Sequence, residues 1–145
     1  MNGHTSCTDS IQACLNSKRF SVAHLCTEEK TMNMHIHECY EVYYSISGGK
    51  QFLIDDRCYD ICPGDAFVIN NCESHCLNQV EDDRHERIVL SIYPEFLDRL
   101  SSRETDLSRC FASCASGRNH RIRLPEEDQK RFCYLVYKMT GSDGY

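Results

Sequence analysis

Short runs of alternating apolar and polar residues fill the middle of the chain and predict β-strands. The clearest run, from Tyr40 to Ile46, is rich in aromatic and β-branched residues. Similar runs cover residues 51–54, 58–61, 66–69 and 87–92, and another short strand is expected after His75. Turn signals separate the runs at intervals of about eight to twelve residues, which is typical of a β-barrel or a sandwich.

Glycine and proline mark the turns between these strands. Gly48-Gly49 predicts a tight hairpin, because a positive φ costs little at glycine. Asp55-Asp56 and Pro63-Gly64-Asp65 predict the next two turns. The first thirty or so residues show a mixed pattern, in which Phe20, Val22 and Leu25 favour a short strand.

The hydrophobic period changes after Tyr93, and helices are predicted there. Pro94 suits the first turn of one helix, residues 102–116 favour a second, and acidic residues after Pro125 suit the start of a third. The third helix carries an apolar stripe at helical spacing, formed by Phe132, Leu135, Val136 and Met139. Such a stripe packs on its own domain or forms a dimer interface, and the pattern leaves both alternatives open.

We therefore expect one structural domain with two parts. Residues 1–93 form a β-barrel with an N-terminal extension, and residues 94–145 form a helical segment that packs on the barrel or mediates dimerisation.

The composition excludes some classes of partner. A formal net charge of −6 argues against a nucleic-acid surface on this segment, since phosphate binding requires a basic patch. The chain has eleven cysteines, but its first residues lack the basic start and apolar run of a signal peptide. No window reaches the apolar length of a membrane span. These features predict a cytoplasmic protein with reduced thiols and no membrane contact.

One group of residues predicts a metal site. In a strand, side chains alternate between faces, so His35, His37 and Glu41 would project from one face, and His75 on a neighbouring strand would join them. Three imidazole nitrogens and one carboxylate suit Zn, Ni, Mn, Fe or Cu. By the same alternation Cys39 and Tyr43 share this face, and we expect them to contact a ligand.

A second interpretation of these residues needs no metal. The histidines would then be polar residues of the barrel mouth that contact an organic ligand or each other. The remaining histidines within the fold, His24, His85 and His120, have no comparable context, and we expect them to be ordinary surface or loop residues.

The segment from His35 to His75 resembles the cupin superfamily. The first cupin motif, H-x-H, three residues, E, six residues, G, is met by His35, His37, Glu41 and Gly48. In the second motif Gly64 and His75 match, whereas Asn70, Cys72 and Gln79 replace its proline, glycine and asparagine, and Glu29 replaces a glycine upstream of the first. The resemblance implies a mainly β, cupin-type double-stranded β-helix, or jelly-roll barrel, followed here by two or three C-terminal α-helices.

A narrower resemblance covers about residues 20–140 and concerns the N-terminal effector-binding domain of AraC-type transcription regulators. Tyr40-Glu41 after the histidines, Pro63-Gly64-Asp65 before His75, and the helix at Pro94 carry it. It implies a small-molecule effector, a homodimer, and DNA contact only through a C-terminal helix-turn-helix domain that we expect to lie outside this chain. The chain is then either a piece of a longer regulator or a stand-alone relative.

Two functions from different classes follow. The first is an effector-binding and dimerisation domain that senses a small molecule in the barrel, with or without a divalent metal, and performs no catalysis. The second is a small metal-dependent enzyme of the dioxygenase, isomerase or decarboxylase type, since three histidines and a glutamate leave open positions on an octahedral metal. A redox-sensing role for the many cysteines is a third alternative.

Overall fold

Two antiparallel β-sheets dominate the computed structural model, which describes residues 6–27, 33–79, 84–112 and 119–141. The strands are β1 (Phe20–Thr27), β2 (Tyr40–Ser45), β3 (Lys50–Ile54), β4 (Arg57–Asp60), β5 (Asp65–Ile69), β6 (His75–Gln79), β7 (His85–Ile92) and β8 (Arg121–Arg123). The helices are α1 (Cys7–Ser17), α2 (Pro94–Leu100) and α3 (Glu126–Met139), with a 3-10 helix at Leu107–Phe111.

The larger sheet has the strand order β1-β7-β2-β5-β8, and the smaller has the order β4-β3-β6. Alternate side chains of both sheets meet in one apolar cluster, as expected for stacked antiparallel sheets. Its members are Tyr43, Phe52, Ile54, Ile61, Phe67, Ile69, Leu77 and Val89. The prediction of a mainly β jelly-roll fold followed by helices is confirmed.

The expected hairpin at Gly48-Gly49 is wrong. β2 pairs with β5 and β7, whereas β3 pairs with β4 and β6, so this turn carries the chain from one sheet to the other. Gly48 has a φ of 68°, and a Cβ atom there would lie 2.5 Å from Cδ of Pro63. Glycine is therefore required by both the backbone conformation and the close approach.

The N-terminal helix α1 was missed by the hydrophobic pattern, although a local signal for it exists. Ser6 caps the helix by accepting a hydrogen bond from the Asp9 amide at 3.1 Å, and Ser-x-x-Asp is a capping sequence. The helix packs on β1, where the hydroxyls of Ser10 and Ser21 lie 2.8 Å apart. It covers one edge of the larger sheet.

The C-terminal helices lie close to their predicted positions. The helix expected at residues 102–116 is only the short 3-10 helix, and residues 113–118 lie outside the described part of the chain. The strand β8, which pairs with β5, was not predicted. No helix in the described ranges combines the length and apolar character needed to cross a bilayer.

The apolar stripe of α3 divides between two environments. Phe132 and the buried Val136 pack on the outer face of the larger sheet, where the Phe132 ring lies 4.9 Å from that of Tyr44. Leu135 and Met139 remain 53% and 44% exposed. Half of the stripe therefore stabilises its own domain and half faces outward.

Candidate metal centre

Three histidines meet at the end of the space between the two sheets. One ring nitrogen from each of His35, His37 and His75 lies within 4.8 Å of the others. The buried carboxylate of Glu41 joins them, with its Oε2 atom 3.0 Å from Nε2 of His37 and 3.5 Å from Nε2 of His75. The structure thus brings together all four residues that the sequence singled out as metal ligands.

The strand argument that grouped these residues is only partly correct. The strand β2 begins at Tyr40, and the backbone bends at residues 38 and 39, so His35 and His37 do not alternate along it. Instead, His35 pairs with the first residue of β6, His75, through two backbone hydrogen bonds of 3.0 and 2.9 Å. This isolated bridge, rather than the period of a strand, positions His35.

Backbone carbonyl groups fix the orientation of all three imidazole rings. Nδ1 lies 3.0 Å from a carbonyl oxygen in each case, that of Asn33 for His35, of Cys39 for His37 and of Glu73 for His75. A carbonyl oxygen can only accept, so each Nδ1 carries the hydrogen and donates it. The Nε2 atoms are therefore left to face the centre of the cluster, which is the usual way that outer contacts orient metal-binding histidines.

The cluster is electrostatically complete only with positive charge at its centre. Unprotonated Nε2 atoms and the Glu41 carboxylate are all acceptors, and they repel each other unless a proton or a metal ion lies among them. Nε2 of His75 is buried and makes no hydrogen bond to any described residue. The donor set, the ring orientation and this buried nitrogen all fit a divalent transition metal.

The direction of the pKa shifts follows from the same contacts. Burial would raise the pKa of Glu41, but the hydrogen bond with His37 and the close contact with His75 outweigh it and hold the pKa well below its usual range. Burial lowers the pKa of His35. Burial also opposes charge on His75, but its contacts with Glu41 prevail and raise its pKa.

Little space remains beside this cluster. The adjoining cavity has a volume of about 10 Å³ and is lined by Cys7, His35, Glu41, Tyr43, Phe52, His75 and Leu77. That is about enough for one water molecule or one ion. A sugar-sized or aromatic molecule would fit only after side chains, or α1 with its Cys7, had moved.

The two other residues expected to contact a ligand lie in different places. Tyr43 lines the cavity, and its hydroxyl hydrogen-bonds Nε2 of His85. Cys39 is fully buried, but its sulfur lies 3.3 Å from that of Cys14 on α1 and it does not line the cavity.

The burial of three polar residues was not predicted from the sequence. His85 and His120 were expected at the surface but are 2% and 3% exposed, so that expectation is wrong; only His24 is exposed, beside Glu86 at 2.8 Å. Arg87 is only 1% exposed, although arginine has the longest of the cationic side chains. The alternating pattern of β7 was a usable signal, because His85, Arg87 and Val89 share one face of that strand.

The chain belongs to the family of AraC-like ligand binding domains. The model of that family matches residues 19–135, which is most of the sequence. This is the effector-binding class that the motifs around His35 and His75 resemble. No curated protein matches the chain.

Solved structures share the fold at low sequence identity. The crystal structure of an apo ToxT variant from Vibrio cholerae is 15% identical, with a TM-score of 0.58, and the match covers 83% of this chain and 47% of ToxT. An oxalate decarboxylase variant of Bacillus subtilis is 16% identical, with a TM-score of 0.47, and the match covers 67% of this chain and 26% of the decarboxylase. An RmlC-like cupin protein with a double-stranded β-helix fold, from Methanocaldococcus jannaschii, is 16% identical, with a TM-score of 0.47. That match covers 55% of this chain and 76% of the cupin protein. This chain thus spans about half the length of ToxT.

Proposed function

We propose that this chain is the effector-binding and dimerisation part of an AraC-type transcription regulator that senses a small molecule. The family assignment over residues 19–135 supports this proposal. DNA contact is assigned to a helix-turn-helix domain outside this chain, in keeping with the net charge of −6. We place the protein in the cytoplasm, and the ten cysteines of the described part, none of which is in a disulfide bond, agree with a reducing compartment.

We further propose that His35, His37, Glu41 and His75 hold one divalent metal ion, with Zn, Ni, Mn and Fe as candidates. The observation that carries this proposal is the set of three Nδ1–carbonyl contacts, which leave the Nε2 atoms available, with those of His37 and His75 within 3.5 Å of the Glu41 carboxylate. A bound metal would supply positive charge at that point and tie β2 to β6. In a sensor, such a tie couples the two sheets.

Elemental analysis of protein purified without a metal-affinity column tests the metal site. We expect about one metal ion per wild-type chain, and less than about one tenth of that in the His35→Ala/His37→Ala double variant, because two of four ligands are lost. His24→Ala is the matched control, since His24 is an exposed histidine outside the cluster. A wild type that stays metal-free even after incubation with Zn²⁺ would contradict the site.

A metal-dependent cupin enzyme is the second candidate, and the ligand set favours it. Three histidines and one glutamate leave two positions of an octahedral metal open for substrate. The cavity of about 10 Å³ beside the cluster has no room for a substrate in this conformation, so an enzyme would require side chains or α1 to move before a substrate reached the metal. Metal-dependent consumption of a small carboxylic acid or sugar, abolished by His37→Ala, would decide for the enzyme.

We propose that the outward half of the α3 stripe forms a dimer contact. Leu135 and Met139 are exposed together with Tyr134, which is 60% exposed, whereas Phe132 and Val136 are used within the domain. Apolar side chains gathered on one exposed helical face are typical of association surfaces.

Light scattering tests the dimer. We expect the wild type to show twice the mass of one chain. Leu135→Glu should lower the measured mass toward that of a single chain, because a charge would be buried in the contact. Leu100→Glu is the matched control, as Leu100 is similarly exposed (57%) on α2. A monomeric wild type at high concentration would remove the proposal.

A further inference from the structure

A second cavity lies outside the apolar cluster between the sheets. It has a volume of about 190 Å³ and shares no lining residue with that cluster. Its walls come from β5, β8 and the 3-10 helix, and most of them are apolar. They include Val68, Phe111, Ala112 and Ile122.

One end of this cavity is polar and deeply buried. Glu73 and His120 are 7% and 3% exposed, and Nε2 of His120 lies 3.1 Å from Oε1 of Glu73. That nitrogen is buried, and its contact with Glu73 lacks the geometry of a hydrogen bond. The other ring nitrogen, Nδ1, is 2.8 Å from the hydroxyl of Tyr59, which fixes the plane of the ring. The Glu73 side chain, the His120 ring and Asn119 therefore form the polar part of a mostly apolar cavity.

The size and lining of the cavity define a class of ligand. A cavity of about 150 Å³ is enough for benzene, so one of about 190 Å³ admits a single ring with a short substituent. The Glu73 carboxylate accepts hydrogen bonds, and a ligand that offers a donor to it would be held more strongly than one that offers another acceptor. Negatively charged ligands are disfavoured at the same point by repulsion.

The position of Glu73 connects this cavity to the metal centre. Its backbone carbonyl accepts the Nδ1 hydrogen of His75 at 3.0 Å, while its side chain Oε2 accepts the amide hydrogen of Asn70 at 2.8 Å. A molecule that contacts the Glu73 side chain is thus placed two residues from a proposed metal ligand and on the same backbone segment.

We infer that this outer cavity binds a small molecule with an apolar body and a hydrogen-bond-donating amine or hydroxyl head directed at Glu73 and His120. This site is separate from the space between the two sheets, and the inference stands on the cavity alone, whether or not the chain acts as a sensor.

Titration of ¹⁵N-labelled protein with three probes of one size tests the site. Benzylamine and benzyl alcohol should give saturable shifts in the amides of the cavity residues, and benzoate should give none. Amine and hydroxyl heads are distinguished by Glu73→Gln, which should weaken benzylamine more than tenfold and benzyl alcohol much less. Equal shifts from benzoate, or no saturable shift from any probe, would overturn the inference.

A filling variant keeps the test decisive if Glu73→Gln fails to fold. Ala112 is exposed at the end of the 3-10 helix, so Ala112→Trp can occupy the cavity without disturbing the core, and we expect a tenfold or greater loss of benzylamine affinity. Leu100→Trp, on α2, is the matched control and should bind as the wild type does. Unchanged binding in Ala112→Trp would overturn the inference.

Metal content measured in the same samples separates the two proposals. Saturable probe binding in protein that stays metal-free after incubation with Zn²⁺ supports the cavity and contradicts only the metal centre. A metal-loaded protein that binds no probe contradicts only the cavity.

Discussion

Two buried clusters of histidine and glutamate within the described residues differ in construction. In the inner cluster, three imidazoles are held by backbone carbonyls and gather with Glu41 beside a cavity of about 10 Å³. In the outer cluster, the single imidazole of His120 is held by a tyrosine side chain and faces a cavity of about 190 Å³ with Glu73.

The difference shows how the surroundings of the same residue types decide their chemistry. Several convergent nitrogens with no free space suit an ion, whose size matches the gap between the ligands. One imidazole beside apolar walls suits an organic molecule, which needs volume more than ligands. Both clusters meet at the segment from Glu73 to His75, which contributes one residue to each.

The largest expected contrast concerns the walls of the two cavities. Phe52 is 2% exposed and packs on Tyr43 and Phe67, so Phe52→Ala should lower the free energy of unfolding by about 3–5 kcal/mol. Ile122 is 47% exposed at the outer cavity, and Ile122→Ala should change it by no more than about 0.5 kcal/mol. Urea denaturation measures both. A similar loss of stability from both substitutions would mean that the wall of the outer cavity is part of the core.

A pair of matched substitutions separates the two carboxylates. Glu41→Gln should weaken Zn²⁺ binding about a hundredfold, or about 2.7 kcal/mol, because a charged ligand is lost. Glu73→Gln should weaken it about tenfold or less, since only the backbone carbonyl of Glu73 supports a ligand. Competition with a chromophoric chelator measures both affinities. A larger effect of Glu73→Gln would place the metal elsewhere.

The smallest expected effect tests the support of the outer imidazole. Tyr59→Phe removes the hydroxyl bonded to His120 but keeps the ring on Phe67, at 5.4 Å between centroids, so it should cost about 1 kcal/mol of stability. Metal content should stay that of the wild type. Tyr134→Phe, at an exposed position, is the control and should cost nothing measurable. A loss of metal in Tyr59→Phe would show that the clusters are not separate.

Much of the fold was predictable from local pattern. The strands at residues 40–46, 51–54, 66–69 and 87–92 were each found within a residue or two, because alternation and turn residues act over short distances. The pairing of those strands was not predictable. The Gly48-Gly49 turn has the composition of a hairpin, yet it joins two sheets, since strand pairing depends on contacts distant in sequence.

The candidate site was predicted for a reason that was partly wrong. The spacing of His35, His37 and Glu41 pointed to convergence, but alternation along one strand does not produce it. His120 gave no signal at all, because its burial depends on Glu73 and Tyr59, which lie 47 and 61 residues away in the chain.

The sequence by itself indicated most of the strands and the residues whose side chains are able to bind a metal, because side-chain chemistry and backbone preference are properties of single residues and short runs. Only the tertiary structure decided which of these residues are buried and what they face. Burial depends on the packing of distant segments, so His24, His85 and His120, indistinguishable along the chain, end at the surface, beside Tyr43 and at a second cavity.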